Sequence, residues 1–108
     1  MIISELFREA LLKHLRDEIP HGTAVVVERM SEREQSGLVD IDVTVYCEKD
    51  THKGIIVGKG GESIKKTASA ARHTIERFLQ TKVNLKCWVK VRKDWRNRAG
   101  ALKELGFR

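Results

Sequence analysis

Near the start of the chain, apolar residues recur at intervals of three and four: Ile3, Leu6, Phe7, Ala10, Leu11 and Leu15. This spacing predicts an amphipathic helix from about Ser4 to Glu18, ended by Pro20 and Gly22. The period then changes. Residues 23–30, Thr-Ala-Val-Val-Val-Glu-Arg-Met, form a short β-branched run suited to a strand, followed by a polar connection from Ser31 to Gly37. Beyond it the alternation is strict. Val39, Ile41, Val43, Val45 and Cys47 fall on one side and Asp40, Asp42, Thr44 and Tyr46 on the other, which predicts a half-buried strand paired with its predecessor as a hairpin. Residues 53–57, Lys-Gly-Ile-Ile-Val, fit either a strand or a helical turn, and their place in the pattern favours the turn.

Helical spacing returns with Ile64, Ala68, Ala71, Ile75, Phe78 and Leu79, a helix of about five turns whose inner alanines permit close packing. Lys65, Lys66 and Arg72 lie toward its beginning, where cations oppose the helix dipole; that unfavourable placement invites a functional reading beside the plain one of a solvated face. A further strand places Val83, Leu85, Cys87, Val89 and Val91 inward and Lys82, Asn84, Lys86, Trp88, Lys90 and Arg92 outward. Trp88 is there either a stacking platform for a base or, as is commoner for tryptophan, a packing residue. A short helix from about Asn97 to Leu105, with Ala99, Leu102 and Leu105 as its apolar side and Gly106 as its stop, ends the chain. A hairpin followed by a strand that returns after a helical crossover makes an α+β (α/β sandwich) fold, a mixed three-stranded sheet with helices packed on one face.

Between the hairpin and the long helix stands Ile-Val-Gly-Lys-Gly-Gly-Glu-Ser-Ile, residues 56–64. Glycine lets a foreign backbone come close and reaches positive φ at little cost, and the amides opening a helix favour an anion. Spacing separates the phosphate-loop readings. A nucleoside-triphosphate loop needs four residues between glycines and then Gly-Lys-Ser/Thr, but Gly54 and Gly58 enclose three and Lys59 precedes Gly60. A dinucleotide fingerprint needs a third glycine where Ser63 stands. There remains Gly-x-x-Gly, Gly58 to Gly61, between two helical segments, the arrangement with which KH domains clamp a nucleic-acid backbone. The plain alternative is a helix-turn-helix in which the glycines serve only as caps.

Charge sharpens this picture. The net charge of +6 over 108 residues is unevenly spread: residues 1–52 hold 6 Lys/Arg against 11 Asp/Glu, and residues 53–108 hold 15 against 4. The basic half begins at the glycine stretch, which favours a polyanionic partner. The length suits a single domain over residues 1–108. No apolar run is long enough for a membrane span or a signal peptide, so a cytoplasmic location is expected. Cys47 and Cys87 occupy apolar phases without a C-x-x-C pair and read as small hydrophobes. His14, His21, His52 and His73 are scattered, so no metal, cofactor or catalytic group is expected.

In this topology the nonapeptide resembles the KH domain of type II, in which a helix and a strand precede the core motif. Asp17-Glu18-Ile19-Pro20, Thr23-Ala24-Val25, the run from His52 through Glu62, the run from Leu85 through Arg96, and Leu102 to Phe107 are similar to the C-terminal KH domain of Era-family GTPases. These segments extend over nearly the whole chain, and Trp88 to Lys93 with Trp95 is more specific than the glycine stretch. No triphosphate loop or switch segment precedes Ser4, so the resemblance implies an excised domain, or a stand-alone paralogue, that does not itself hydrolyse GTP. It further implies binding of single-stranded RNA, the 3′ end of 16S rRNA, during assembly of the small (30S) ribosomal subunit. The GTPase domain of the same parent chain is an implied partner, and peripheral association with the inner membrane is implied for the parent.

The residues themselves suggest how RNA would be held. Gly58, Lys59, Gly60 and Gly61 would approach the phosphates of about four nucleotides, while Ile55, Ile56, Ile64 and an edge of the second strand would form an apolar groove for bases. Lys53, Lys65, Lys66 and Arg72 would add salt-dependent attraction. One rival is a protein-interaction module using the final helix with Arg92, Lys93, Arg96 and Arg98. Another is a KH protein of the ribosome or transcription machinery with a different target. A small enzyme acting on a phosphorylated metabolite is disfavoured, because no nucleophile with a neighbouring base lies near the glycines.

Overall fold

The computed structural model of the chain describes residues 2–16 and 18–93. In chain order the elements are α1 (Ile2–His14), β1 (Ala24–Glu32), β2 (Val39–Cys47), α2 (Asp50–Val57), a single 3-10 turn (Lys59–Gly61), α3 (Glu62–Leu79) and β3 (Val83–Val91). The expected final helix over residues 97–105 lies outside the described residues, as do Trp95, Arg96 and Arg98.

The strands lie in the order β1-β2-β3, with β1 antiparallel and β3 parallel to β2. This is the expected mixed sheet, since a hairpin joins the first pair and a helical crossover the second. All three helices cover one face. Phe7, Leu11, Ile41, Val43, Val45, Cys47, Ile56, Ala71 and Ile75 are fully enclosed in the resulting core, each large aliphatic or aromatic side chain contributing about 1.5–3 kcal/mol on burial. Leu6, Glu9, Ala10, Lys13 and His14 of α1 line one depression with Ala70 and Thr74 of α3, and His14 alone of α1 reaches a second, earlier along α3, lined by Gly58, Lys59 and Glu62. The two helices thus run antiparallel, and the C-terminal end of α1 meets the glycine turn.

Several expectations are corrected by packing. β2 is not half-buried: Asp40, Thr44 and Tyr46, assigned to the solvent side by alternation, are all under 9% exposed. As the central strand it has neighbours on both edges, and their side chains close over its polar face. Asp40 accepts two hydrogen bonds from the Arg33 guanidinium, at 2.9 and 3.0 Å, and one from Asn84 at 2.8 Å. Tyr46 donates to Glu28 at 2.9 Å and lies 5.1 Å beneath the Arg92 guanidinium. β1 runs to Glu32, beyond the expected end, with an irregularity in register between Val27 and Arg29. α1 stops at His14 rather than near Glu18, and Arg16 turns to a positive φ of 55°. Phe78, in apolar phase on α3, is 54% exposed, because Thr67, Ala71 and Ile75 are the residues α3 presents to the core.

Candidate nucleic-acid interface

The stretch that periodicity left between strand and turn is helical. α2 opens with Asp50 in its first turn, a favourable position for an anionic side chain. It ends where Gly58 donates its amide to the Gly54 carbonyl at 2.9 Å. Gly58 then adopts φ 76°, ψ 172°, a conformation essentially reserved for glycine. A β-carbon there would come within 2.6 Å of the Ser63 Cβ and 3.0 Å of its backbone nitrogen. Gly58 is therefore demanded twice over, by backbone conformation and by the space that the first turn of α3 occupies.

Gly60 (φ 63°, ψ 19°) and Gly61 (φ 76°, ψ 12°) are both left-handed, yet a β-carbon added to either would meet nothing within 4 Å. These two glycines leave the tip of the turn open from outside. The turn is closed by the amides of Gly61, bonded to the Gly58 carbonyl at 3.1 Å, and of Glu62, bonded to that of Lys59. The amides of Lys59 and Gly60 at the tip are not used in closing it. With Lys59 exposed beside them, the tip combines an ammonium group, a backbone without side chains and the start of an 18-residue helix. Such a surface suits an anion that arrives with its own bulky backbone.

The remaining candidate residues fall into three groups. Lys53, Lys65 and Ile55 are exposed, and Ile55, at 54%, offers an apolar side chain three residues before the turn; Ile64 is partly buried against the core. Lys66 is exposed but bridges to Glu62 at 3.0 Å, an i,i+4 pair that offsets its charge. Ile56 and Arg72 are corrected. Ile56 is fully buried in the core, so it fixes the seat of α2 and lines no groove. Arg72 lies about 16 Å along the axis of α3 from Gly61 and binds Glu76 at 3.1 Å, whose carboxylate also accepts the Val83 amide at 2.9 Å. Glu76 thus ties α3 to the start of β3, and Arg72, held to it, stands apart from the cations of the turn. These donors hold the Glu76 carboxyl below its ordinary pKa, the Val83 amide being the largest influence.

The strand beside the site also differs from expectation. β2 has no free edge, being paired on both sides, and the free edge of the sheet on the crossover side is that of β3, against which α2 packs. Strand order depends on long-range pairing and leaves no mark in local periodicity. Trp88 stands across from Thr44, on the face away from the helices, and is 44% exposed. Sequence reasoning also missed Ser63, whose contact makes Gly58 obligatory, and His14, which lines a shallow depression with Gly58, Lys59, Glu62, Ser63 and Lys66. Among the described residues no cluster of His, Cys, Asp or Glu could hold a metal ion, and no helix is long and apolar enough to cross a membrane.

Comparison with known proteins agrees with this geometry. The chain is 51% identical over 106 residues to the GTPase Era of Caldicellulosiruptor saccharolyticus, covering 98% of this chain and 35% of that protein. It is 53% identical over 108 residues to the GTPase Era of Ruminiclostridium cellulolyticum, covering 100% of this chain and 36% of that protein. The chain thus spans about a third of the length of these relatives. Among solved structures, Era in complex with MgGDPNP and nucleotides 1506-1542 of 16S ribosomal RNA superposes with a TM-score of 0.83 at 29% identity, over 97% of this chain and 35% of that one. An Aquifex aeolicus Era variant bound to GDP.AlF4- gives the same values. The KH domain model matches residues 18–96, a span that includes the glycine turn, both helices that flank it and all three strands, and the chain accordingly belongs to the KH domain family.

Proposed function

We propose that residues 1–108 act as one RNA-binding module, which holds single-stranded RNA by its phosphates at the Gly58–Gly61 turn, as part of a longer protein of the Era GTPase type. The observation that carries this reading is the turn itself: three consecutive-in-space glycines at positive φ, two of them open to the outside, with Lys59 at the tip. Bases of the bound strand would lie against Ile55 and the α2 side of the β3 edge, and Lys53 and Lys65 would add attraction that weakens with salt. The similarity to an Era structure solved with nucleotides 1506-1542 of 16S ribosomal RNA supports the 3′ end of 16S rRNA as the target. Assembly of the 30S subunit is then the process served, in the cytoplasm. On this reading the chain contributes RNA holding, while GTP hydrolysis and any peripheral contact with the inner membrane belong to other parts of the parent.

The test is a double variant, Lys59→Asp with Gly60→Asp. Gly60 has room for a side chain, and aspartate tolerates the left-handed region better than most residues, so the circular-dichroism spectrum should match that of the wild type. Fluorescence anisotropy with an RNA oligonucleotide of the 16S 3′ end should show binding lost, because two negative charges replace the cation and the open tip. A folded double variant with unchanged affinity would refute the clamp.

A further inference from the structure

We infer that His14 is an RNA-discriminating contact, accepting a hydrogen bond from a ribose 2′-hydroxyl of the strand held at the glycine turn; the inference rests on the RNA-binding reading above. His14 closes α1 and, because α1 and α3 run antiparallel, it lines the depression beside Gly58, Lys59 and Ser63. Its Nδ1 lies 2.9 Å from the Ala10 carbonyl oxygen. A carbonyl can only accept, so Nδ1 carries the hydrogen, and of the two neutral tautomers this bond selects the one whose Nε2 is a lone-pair acceptor. The backbone bond thus decides what the outer nitrogen can recognise.

The chemistry of the ligand follows from that assignment. A phosphate oxygen offers no hydrogen and cannot pair with an acceptor, whereas a 2′-hydroxyl can donate and is the group by which RNA differs from DNA. The other charges of the depression leave the same division of labour. Lys66 is engaged with Glu62 at 3.0 Å, and Lys59 has no ion-pair partner among the described residues, so the phosphate falls to Lys59 and the tip amides. A sugar attached to that phosphate lies within a few ångströms of it, and His14 lines the same depression as Gly58, Lys59 and Ser63. KH-type phosphate contacts alone carry no preference between RNA and DNA, and His14 supplies one.

Anisotropy titrations of the full chain test this with the 16S 3′-end RNA oligonucleotide, its all-DNA counterpart, and a series carrying one 2′-deoxy substitution at a time. In the wild type one position of the series should weaken binding about fivefold, the usual effect of a single neutral hydrogen bond. In His14→Phe, which keeps a ring but lacks the acceptor, RNA affinity should fall by a similar factor, DNA affinity should hold, and the sensitive position should disappear. Equal losses on RNA and DNA would mean that His14 serves the phosphate or only the helix end, and would overturn the inference. A sensitive position that persists in His14→Phe would overturn it as well. Loss of binding in Lys59→Asp/Gly60→Asp, with no change in the RNA-to-DNA ratio in His14→Phe, would sink this proposal and leave the clamp standing; a wild type that binds neither oligonucleotide would sink both.

Discussion

The four-residue turn contains glycines that do different work, and replacing them one at a time separates shape from access. Alanine at Gly58 must adopt φ 76°, ψ 172° and place its Cβ 2.6 Å from that of Ser63, where ordinary carbon contacts are about 3.5–4.0 Å. The backbone strain is worth about 1–3 kcal/mol and the overlap with α3 about as much again, by the usual cost of overpacking. Part of the overlap is with the Ser63 backbone nitrogen at 3.0 Å, so side-chain rotation cannot relieve it. Gly60→Ala faces only the left-handed penalty of about 1–2 kcal/mol, with no neighbour within 4 Å. At about 5 °C per kcal/mol for a domain of this size, Gly58→Ala should lower Tm by roughly 10–30 °C and Gly60→Ala by roughly 5–10 °C. Thermal unfolding followed by circular dichroism, with urea titration as a second measure, reads both. RNA binding should show the opposite emphasis: folded Gly60→Ala weakens it by placing a methyl at the tip, while Gly58→Ala loses it only as the fold is lost. Equal destabilisation at the two positions, or a Gly58→Ala protein as stable as the wild type, would refute the geometry of the turn.

Three other outcomes are expected. The logarithm of the RNA affinity should fall linearly with log salt concentration, and Lys59→Ala should make that slope shallower by about 0.7, the value for one phosphate contact on a single strand; an unchanged slope would place the phosphate elsewhere. The Arg33 guanidinium beside Asp40, with help from Asn84, holds the Asp40 carboxyl down at about 2. A depressed folded-state pKa means that its stabilisation is complete above about pH 4, the unfolded value, and is lost as pH falls toward 2; Asp40→Asn should remove that part of the acid unfolding profile, and an unaltered profile would contradict the pairing. Burial lifts the Cys87 thiol from 9.0 up to about 12, which makes its thiolate about a thousandfold scarcer at pH 8. Cys87 should therefore react with a disulfide reagent at a rate far below that of a free thiol and rise to it only on unfolding, and rapid labelling of the native protein would argue against the burial.

Much of the fold was legible because local pattern and global packing agree in it. The strict alternation from Val39 to Cys47 and the helical spacing after Ile64 each reproduce their elements closely, β2 over Val39–Cys47 and α3 over Glu62–Leu79. The glycine spacing likewise marked the turn, because φ above zero and close approach both select glycine over every other residue. Errors collect where a neighbour far along the chain decides. Asp40, Thr44 and Tyr46 alternate as a solvent face would, yet a central strand is screened by both flanking strands. Ile56 and Ile55 are adjacent and chemically identical, and only the seat of α2 on the sheet makes the first core and the second surface.

By itself, then, the order of residues determined the elements, the position of the glycine turn and the concentration of cations after it, since each depends on periods and spacings of a few residues. The tertiary structure decided which strand edge α2 packs against, which cations are paired, and what stands beside the tip. Arg72 and Lys66 are paired with Glu76 and Glu62 through the pitch of one helix, the first half-buried and the second at the surface. His14 is gained, because antiparallel packing carries the end of α1 to residues more than forty positions later. Such neighbours are chosen by burial of the whole apolar surface at once, a sum over the entire core that no local window of sequence contains.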